Sequence, residues 1–164
     1  MTNAQPLLVL TTGGTIDKAY FDALSAYQVG DPQVGRILET GRMACPYEIR
    51  ELMRKDSLDL DDADRARIAQ AVAEAPGRPV VITHGSDTMT QTAAALGDVG
   101  DRAVVFVGAM APARFAETDA PFNLGMAVAT AQIAPPGVYI TMSGTVFPAD
   151  KVVKNRAKGQ FVAR

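Results

Sequence analysis

The sequence predicts a three-layer α/β domain with a mostly parallel sheet. Four apolar, β-branched runs alternate along the chain with segments of helical spacing, a pattern typical of sheets covered by helices on both faces. The runs are continuous rather than alternating, as expected for strands buried on both sides. We therefore predict a Rossmann-like or flavodoxin-like arrangement whose right-handed crossovers bring the carboxyl ends of the strands to one edge. The runs span residues 7–10, 80–83, 104–107 and 138–142.

Three segments between or after these runs predict helices. The first, Leu60 to Ala75, opens with acidic residues that suit a helix N-terminus and is stopped by Pro76-Gly77. The second spans Thr88 to Leu96, with Gly97 as its stop. The third spans Asn123 to Ala134 and ends at a double proline.

Two segments lack a clear pattern. We interpret Asp17 to Met43 as a mobile loop followed by a short helix from Pro32 to Leu38. A loop of this length beside a candidate site is often a lid, and the alternative is an ordinary connection. The basic tail from Asp150 to Arg164 is expected to fray.

Composition narrows the classes of function. A chain of 164 residues with 48% hydrophobic and 21% charged residues is typical of one globular domain. Because the net charge is -2, no basic patch is present and Trp is absent, we do not expect a nucleic-acid partner. The lone Cys45 fits a reducing compartment. The first residues do not follow the pattern of a signal peptide, and no apolar run approaches the about 20 residues of a membrane helix, so we expect a cytoplasmic protein.

The first candidate for chemistry is Thr15, in a turn that directly follows the first apolar run. The sequence there is Thr11-Thr12-Gly13-Gly14-Thr15-Ile16. Two glycines permit positive φ and leave nothing bulky over the hydroxyl. Because ligand crevices lie at the carboxyl ends of parallel strands, this hydroxyl is a candidate nucleophile, and a tight turn without chemistry is the structural alternative.

Two further loops are expected to converge on the same edge, residues 84–89 and 108–112. Asp87 there suits a helix cap, a ligand's amine, or both. His84, the only histidine, is predicted to be a packed, hydrogen-bonded residue rather than a base. A lysine or a tyrosine is the alternative base, and Lys154 is either that lysine or a solvated tail residue. No spacing of metal ligands, dinucleotide fingerprint or phosphate loop occurs, so neither metal nor cofactor is expected.

Taken together, these segments resemble the bacterial-type L-asparaginase family, whose members hydrolyse asparagine to aspartate and ammonia. The resemblance runs from Leu7 to about Phe161 and includes two separate signatures in the correct order. The matching segments are Thr12-Gly13-Gly14-Thr15-Ile16, Thr83-His84-Gly85-Ser86-Asp87-Thr88-Met89, Val107-Gly108-Ala109-Met110 and Asp119-Ala120-Pro121-Phe122-Asn123-Leu124.

The resemblance implies roles for several of these residues. Thr15 is similar to the family nucleophile, which forms an acyl-enzyme. Asp87 resembles the carboxylate that binds the substrate's α-amino group, and Ser86 stands where the family usually has a second catalytic threonine. Lys154 aligns with the lysine that partners this pair. Backbone amides near Ala109 and Ser86 are expected to stabilise the oxyanion.

The resemblance also implies a substrate-binding segment and a tyrosine. Ser57 resembles the serine that grips the α-carboxylate of L-asparagine. Leu58 replaces a glutamine or other polar residue, which leaves the backbone or Asp56 to contribute. Tyr27 fits the family's Tyr-x-Val-Gly pattern, and Tyr20 is closer in sequence to Thr15, so both stay candidates. The acceptor of the Thr15 proton is either a tyrosine or the Ser86–Lys154 pair.

Family members are typically about twice as long and carry a second, C-terminal domain that completes a neighbouring subunit's site. We therefore expect residues 1–164 to form a single domain of the N-terminal, catalytic type that assembles as a homo-oligomer. Two alternatives are an asparagine- or aspartate-binding module without turnover and the amidase component of a tRNA-dependent amidotransferase. The lack of a basic face speaks against the second alternative.

Overall fold

The computed structural model describes residues 5–164. The prediction about a signal peptide rests partly on residues 1–4, which lie outside the described residues. Within the described residues, ten strands and four α-helices follow one another. The strands are β1 (Leu7–Gly13), β2 (Lys18–Phe21), β3 (Ala26–Val29), β4 (Tyr47–Lys55), β5 (Val80–Thr83), β6 (Ala103–Val107), β7 (Gly137–Met142), β8 (Thr145–Pro148), β9 (Val152–Asn155) and β10 (Gln160–Ala163). The helices are α1 (Val34–Thr40), α2 (Asp62–Ala73), α3 (Met89–Ala95) and α4 (Ala120–Ile133).

The main sheet confirms the predicted fold class. Its six strands lie in the order β4-β1-β5-β6-β7-β8. The first five are parallel to their neighbours, and β8 pairs antiparallel with β7 at one edge. Because the parallel strands point the same way, the turns after β1, β5 and β6 open at one edge, as the sequence predicts.

Helices cover both faces of this sheet. Alternate side chains of each strand point to opposite faces, so each face packs against its own layer of helices. On one face, Leu8 and Ile82 belong to a buried cluster with Ile68 of α2 and Met89 of α3. On the other face, Val9, Val81 and Val105 belong to a second cluster that includes residues of α1 and α4. These two apolar layers make the rigid scaffold that holds the edge loops in place.

All three predicted helices are present, and their observed bounds differ from the predicted ones by a few residues. The acidic start of α2 is a capping box, in which Asp61 accepts from the Asp64 amide and Asp64 accepts from the Asp61 amide. Helix α4 begins three residues earlier than predicted, with Pro121 in its first turn, where proline fits. The short helix predicted at 32–38 is α1, at Val34–Thr40.

Two segments form hairpins where the sequence analysis placed none. Strands β2 and β3 pair antiparallel, so the predicted loop after Asp17 is an ordered β-hairpin with residues 20–28 exposed. Strands β9 and β10 also pair, and the prediction of a frayed tail is wrong. Val152 and Phe161 are buried in the core beneath this second hairpin. Burial of these two side chains compensates for the entropy of ordering the segment.

Among residues 5–164, no helix has both the length and the apolar character needed to cross a membrane. The same residues contain no group of three or more His, Cys, Asp or Glu placed to hold a metal ion.

Candidate active site

Thr15 lies at the carboxyl edge of the sheet, two residues after the end of β1. Gly13 and Gly14 adopt φ values of 104° and 89°, which favour glycine. A Cβ on Gly14 would collide with the backbone of Gly85, so only glycine lets the two turns touch. The Thr12 hydroxyl donates to the Thr83 carbonyl at 2.7 Å and ties the ends of β1 and β5 together. Thr15 therefore starts its short 3-10 turn, half-buried, against the loop that carries Ser86.

Lys154 reaches this loop from β9. Its Nζ donates to Ser86 Oγ at 2.8 Å and to Asp87 Oδ1 at 2.7 Å. Arg156 is more exposed, and its Nε lies 4.0 Å from the same Asp87 oxygen. The structure thus brings together Ser86, Asp87 and Lys154, residues separated by almost seventy positions in the chain.

Ser57 lies on the other side of the Gly85 turn, at the start of a 3-10 turn that follows β4. It is 1% exposed, and its Oγ has no hydrogen-bond partner among the described residues. Its carbonyl accepts from the Thr88 hydroxyl at 2.8 Å, which fixes its backbone. A Cβ on Gly85 would approach the Ser57 Oγ to 2.6 Å, so glycine is required to leave this hydroxyl room. A buried hydroxyl without a partner is a candidate ligand contact.

Asp56 precedes Ser57 and points to a different partner. Its carboxylate accepts from the Leu58 amide at 3.1 Å and pairs with Lys18 Nζ at 2.9 Å. Burial by itself raises the pKa of Asp56, and the hydrogen bonds from Lys18 and Leu58 outweigh it, so this pKa lies below its ordinary value. Asp56 is therefore an anion at neutral pH, already paired with a cation.

The two candidate tyrosines face each other across the β2–β3 hairpin. Tyr20 pairs with Tyr27 in register, with ring centroids 5.4 Å apart in an edge-to-face arrangement. Tyr27 also contacts the ring of Phe115, at 5.8 Å, and both tyrosines are about half exposed. The additional contact joins Tyr27, rather than Tyr20, to the loop after β6.

The base of this hairpin is held by residues that the sequence analysis missed. Arg114 donates to the carbonyls of Asp17 and Asp31, and the Asp17 carbonyl also accepts from the Gly30 amide. Asp17 is 2% exposed, and burial raises the pKa of its carboxyl from 3.8 to about 7, although the Gln33 amide and Arg114 lower it. No local motif marks Arg114 or Asp17, because their contacts join segments almost a hundred residues apart.

The loop around Ala109 is shaped by Asp119. This carboxylate accepts from the amides of Met110 and Ala111 and from the side chain of Asn123. The Met110 and Ala111 amides are therefore not free to stabilise an oxyanion. Ala109 itself is buried at 2% exposure.

His84 is a packed residue, as predicted. It is fully buried, its Nδ1 lies 2.7 Å from the Gly85 carbonyl, and its Nε2 lies 2.8 Å from the Thr92 hydroxyl. Burial lowers its pKa to about 4, so the imidazole is neutral at pH 7. Both ring nitrogens are occupied by structural bonds, which favours a positioning role for His84.

The arrangement has the features of a site for covalent hydrolysis. A threonine hydroxyl lies beside a hydroxyl–lysine–carboxylate group, with an orphaned hydroxyl on the adjoining turn. A separate cavity of about 620 Å³ lies between α1 and α4 and includes none of these residues. The candidate site lies instead at the carboxyl edge of the sheet, where the turns after β1 and β5 touch, and we call this edge the crevice.

Comparisons with known proteins give one consistent family. The family model described as asparaginase, N-terminal, matches residues 6–161. The L-asparaginase of Thermococcus kodakarensis is 34% identical over 163 aligned positions, which cover 93% of this chain and 48% of that protein. One component of the glutamyl-tRNA(Gln) amidotransferase of Pyrobaculum aerophilum is 37% identical over 134 positions, which cover 77% of this chain and 32% of that protein.

The solved structures agree. The thermostable L-asparaginase from Thermococcus kodakarensis superimposes with a TM-score of 0.85 at 30% identity, covering 97% of this chain and 51% of that one. The chain thus spans about half the length of the asparaginases it matches. Since the family model matches nearly all of the chain and the fold agrees, the chain belongs to the asparaginase family.

Proposed function

We propose that this protein hydrolyses the side-chain amide of L-asparagine to L-aspartate and ammonia. The observation that carries this proposal is the contact of Lys154 with Ser86 and Asp87, beside the turn that presents Thr15. A lysine held between a hydroxyl and a carboxylate is suited to move protons and to fix a substrate amine.

The reaction begins with Thr15. Its Oγ attacks the amide carbon, a C–O bond forms, and the hydroxyl proton passes to an acceptor. That acceptor is either a tyrosine of the hairpin, Tyr27 or Tyr20, or the Ser86–Lys154 pair. The proton then goes to the leaving nitrogen, the C–N bond breaks, and ammonia departs. Water hydrolyses the β-aspartyl ester and returns the proton to Thr15.

The remaining groups bind the substrate. The orphaned Ser57 Oγ donates to the α-carboxylate, beside Asp56. The α-ammonium binds the oxygen of Asp87 that Lys154 does not contact. The Ser86 amide and the backbone at Ala109 are the candidate oxyanion donors, each worth on the order of 3 kcal/mol in enzymes of this kind. With Met110 and Ala111 bonded to Asp119, Ala109 contributes through its own backbone.

Exposed aromatic side chains support an assembly of several copies. The relatives of this chain are about twice as long, and Tyr20, Tyr27 and Phe115 form a contiguous exposed cluster. We propose that a second copy of the chain covers this cluster, in a cytoplasmic homo-oligomer that needs no metal or cofactor. Light scattering after gel filtration tests this assembly, and a monomer at assay concentration contradicts it.

Ammonia release tests the activity. We expect purified wild type to release ammonia from L-asparagine, and Thr15→Ala to lose this release while it keeps the circular dichroism and melting temperature of the wild type. Thr15→Ser is the matched variant, since it keeps a hydroxyl and is expected to retain part of the activity. L-Glutamine in parallel measures the side-chain preference. Wild type without release at millimolar L-asparagine would leave a binding module as the function.

A second candidate function follows from one comparison. The relative from the glutamyl-tRNA(Gln) amidotransferase of Pyrobaculum aerophilum is 37% identical over 134 positions. A component of this type would release ammonia for a partner enzyme, whereas the proposed function needs none. Turnover by the isolated chain distinguishes the two.

A further inference from the structure

Lys18 lies next to the candidate nucleophile and has no role in the proposed reaction so far. It follows Thr15 by three residues, and its amide donates to the Thr15 carbonyl across the 3-10 turn Thr15–Asp17. Lys18 is thus joined to Thr15 through the backbone, as the residue that ends the turn and begins β2.

The Lys18 ammonium is directed toward the turn of Ser57. Its Nζ lies 2.9 Å from Asp56 Oδ2, and both side chains are about one-quarter to one-third exposed. Asp56 directly precedes Ser57, whose unpartnered hydroxyl borders Gly85. The charge of Lys154 also lowers the pKa of Asp56, although less than Lys18 does.

The balance of charge at this end of the crevice favours an anion. Three cations, Lys18, Lys154 and Arg156, accompany two carboxylates, Asp56 and Asp87. A ligand carboxylate that bonds to the Ser57 hydroxyl would meet the charge of Asp56 next to it. Lys18 neutralises Asp56 and leaves further N–H donors, since an ammonium has three.

We propose that Lys18 is a specificity-determining residue that binds the free carboxylate of the substrate together with Ser57. Lys18 then distinguishes a ligand with a free carboxylate from one whose carboxylate is capped. This inference rests on the proposed function, because it names a further residue for the substrate of the same crevice.

Binding in the Thr15→Ala background tests the inference without turnover. Calorimetric titration is made with L-asparagine and with L-asparaginamide, whose α-carboxylate is replaced by a neutral amide. We expect Lys18→Gln to weaken L-asparagine binding at least tenfold and to leave L-asparaginamide binding within twofold. Lys18→Arg, which restores the charge, is expected to recover most of the affinity for L-asparagine.

Lys55→Gln is the matched control. Lys55 forms an ion pair of the same type, with Asp64 at 2.7 Å, at the start of α2. We expect it to change the affinity for neither ligand.

Three results would overturn the inference. Equal weakening of both ligands by Lys18→Gln would assign Lys18 to holding the hairpin rather than the carboxylate. Unchanged affinity for L-asparagine, or no binding of L-asparagine in the Thr15→Ala background, would remove the carboxylate subsite. Ammonia release by the wild type judges the proposed function separately, because the titrations do not depend on it.

Discussion

Two hairpins outside the main sheet carry candidate site residues, and they are held in different ways. The β9–β10 hairpin carries Lys154 and is anchored by the buried side chains of Val152 and Phe161. The β2–β3 hairpin carries Tyr20 and Tyr27, and residues 20–28 are all exposed. Buried apolar contacts fix a side chain in one position, whereas a segment with few such contacts opens at low cost in free energy. We therefore expect a preorganised lysine, and we interpret the ordered but exposed β2–β3 hairpin as an adjustable tyrosine lid.

The largest effect is expected at the anchored hairpin. Lys154→Met removes the ammonium that bonds to Ser86 and Asp87. We expect kcat/KM for L-asparagine to fall by about three orders of magnitude, or about 4 kcal/mol. Steady-state ammonia release measures the loss. Lys151→Met, an exposed lysine just before β9, is the control with expected wild-type activity. Activity of Lys154→Met within tenfold of wild type would remove Lys154 from the mechanism.

The second-largest effect is expected on stability, when the buried side chain that anchors the β9–β10 hairpin is removed. Phe161 is 4% exposed and lies directly opposite Lys154 in the hairpin. We expect Phe161→Ala to lower the free energy of unfolding by about 3 kcal/mol or more. Urea denaturation followed by circular dichroism measures this change. Val153→Ala, at an exposed position of the same hairpin, is expected to cost well below half as much. Equal costs for the two variants would show that the hairpin is not anchored through Phe161.

The same contrast explains how much of the fold was predictable. Strands buried on both faces, such as β5 and β6, form continuous apolar runs, and this local pattern was enough to predict them. Strand β4 was missed because it is an edge strand whose exposed residues include Glu48 and Glu51. The β9–β10 hairpin was missed because its stability comes from the long-range burial of Phe161, which no local pattern encodes.

The residues of the candidate site also fall into those that the sequence predicted and those that it missed. The convergence of Thr15 and Ser86 followed from the rule that parallel strands end at one edge, and the structure agrees. Lys154 was named from the family resemblance, since its spacing alone favoured a solvated tail residue. Lys18 and Arg114 were missed, because their contacts with Asp56 and with the base of the hairpin depend on tertiary structure.

We expect the free energy of unfolding to depend on pH through Asp17, which lies at the base of the β2–β3 hairpin. Burial raises the pKa of Asp17 to about 7, so between about pH 4 and pH 7 the folded state keeps a proton that the unfolded state releases. Stability is therefore lost as the pH rises through this range, by at most about 4 kcal/mol. Asp17→Asn keeps the acceptor for the Gln33 amide and abolishes this titration.

Urea denaturation from pH 4 to pH 8 measures the difference between Asp17→Asn and wild type. We expect the variant to be increasingly more stable as the pH rises to 7, and the difference to be constant above it. His84 has the opposite slope, because its pKa is lowered to about 4 and it must become charged on unfolding below its ordinary pKa. Since His84 is present in both proteins, its contribution cancels. A difference that is independent of pH would show that Asp17 does not titrate in this range.

The smallest effect is expected at the contact between the lid and the body. Phe115 is 43% exposed and touches the ring of Tyr27 edge-to-face at 5.8 Å. Because an exposed aromatic pair contributes only about 0.5–1.5 kcal/mol, Phe115→Ala is expected to leave stability nearly unchanged. The contact holds Tyr27 toward the loop after β6, so its loss favours the open hairpin and raises the KM for L-asparagine severalfold. Ile133→Ala, at the exposed end of α4, is the control without effect. If Phe115→Ala lowers the melting temperature as much as Phe161→Ala does, the two hairpins are anchored alike and the lid interpretation fails.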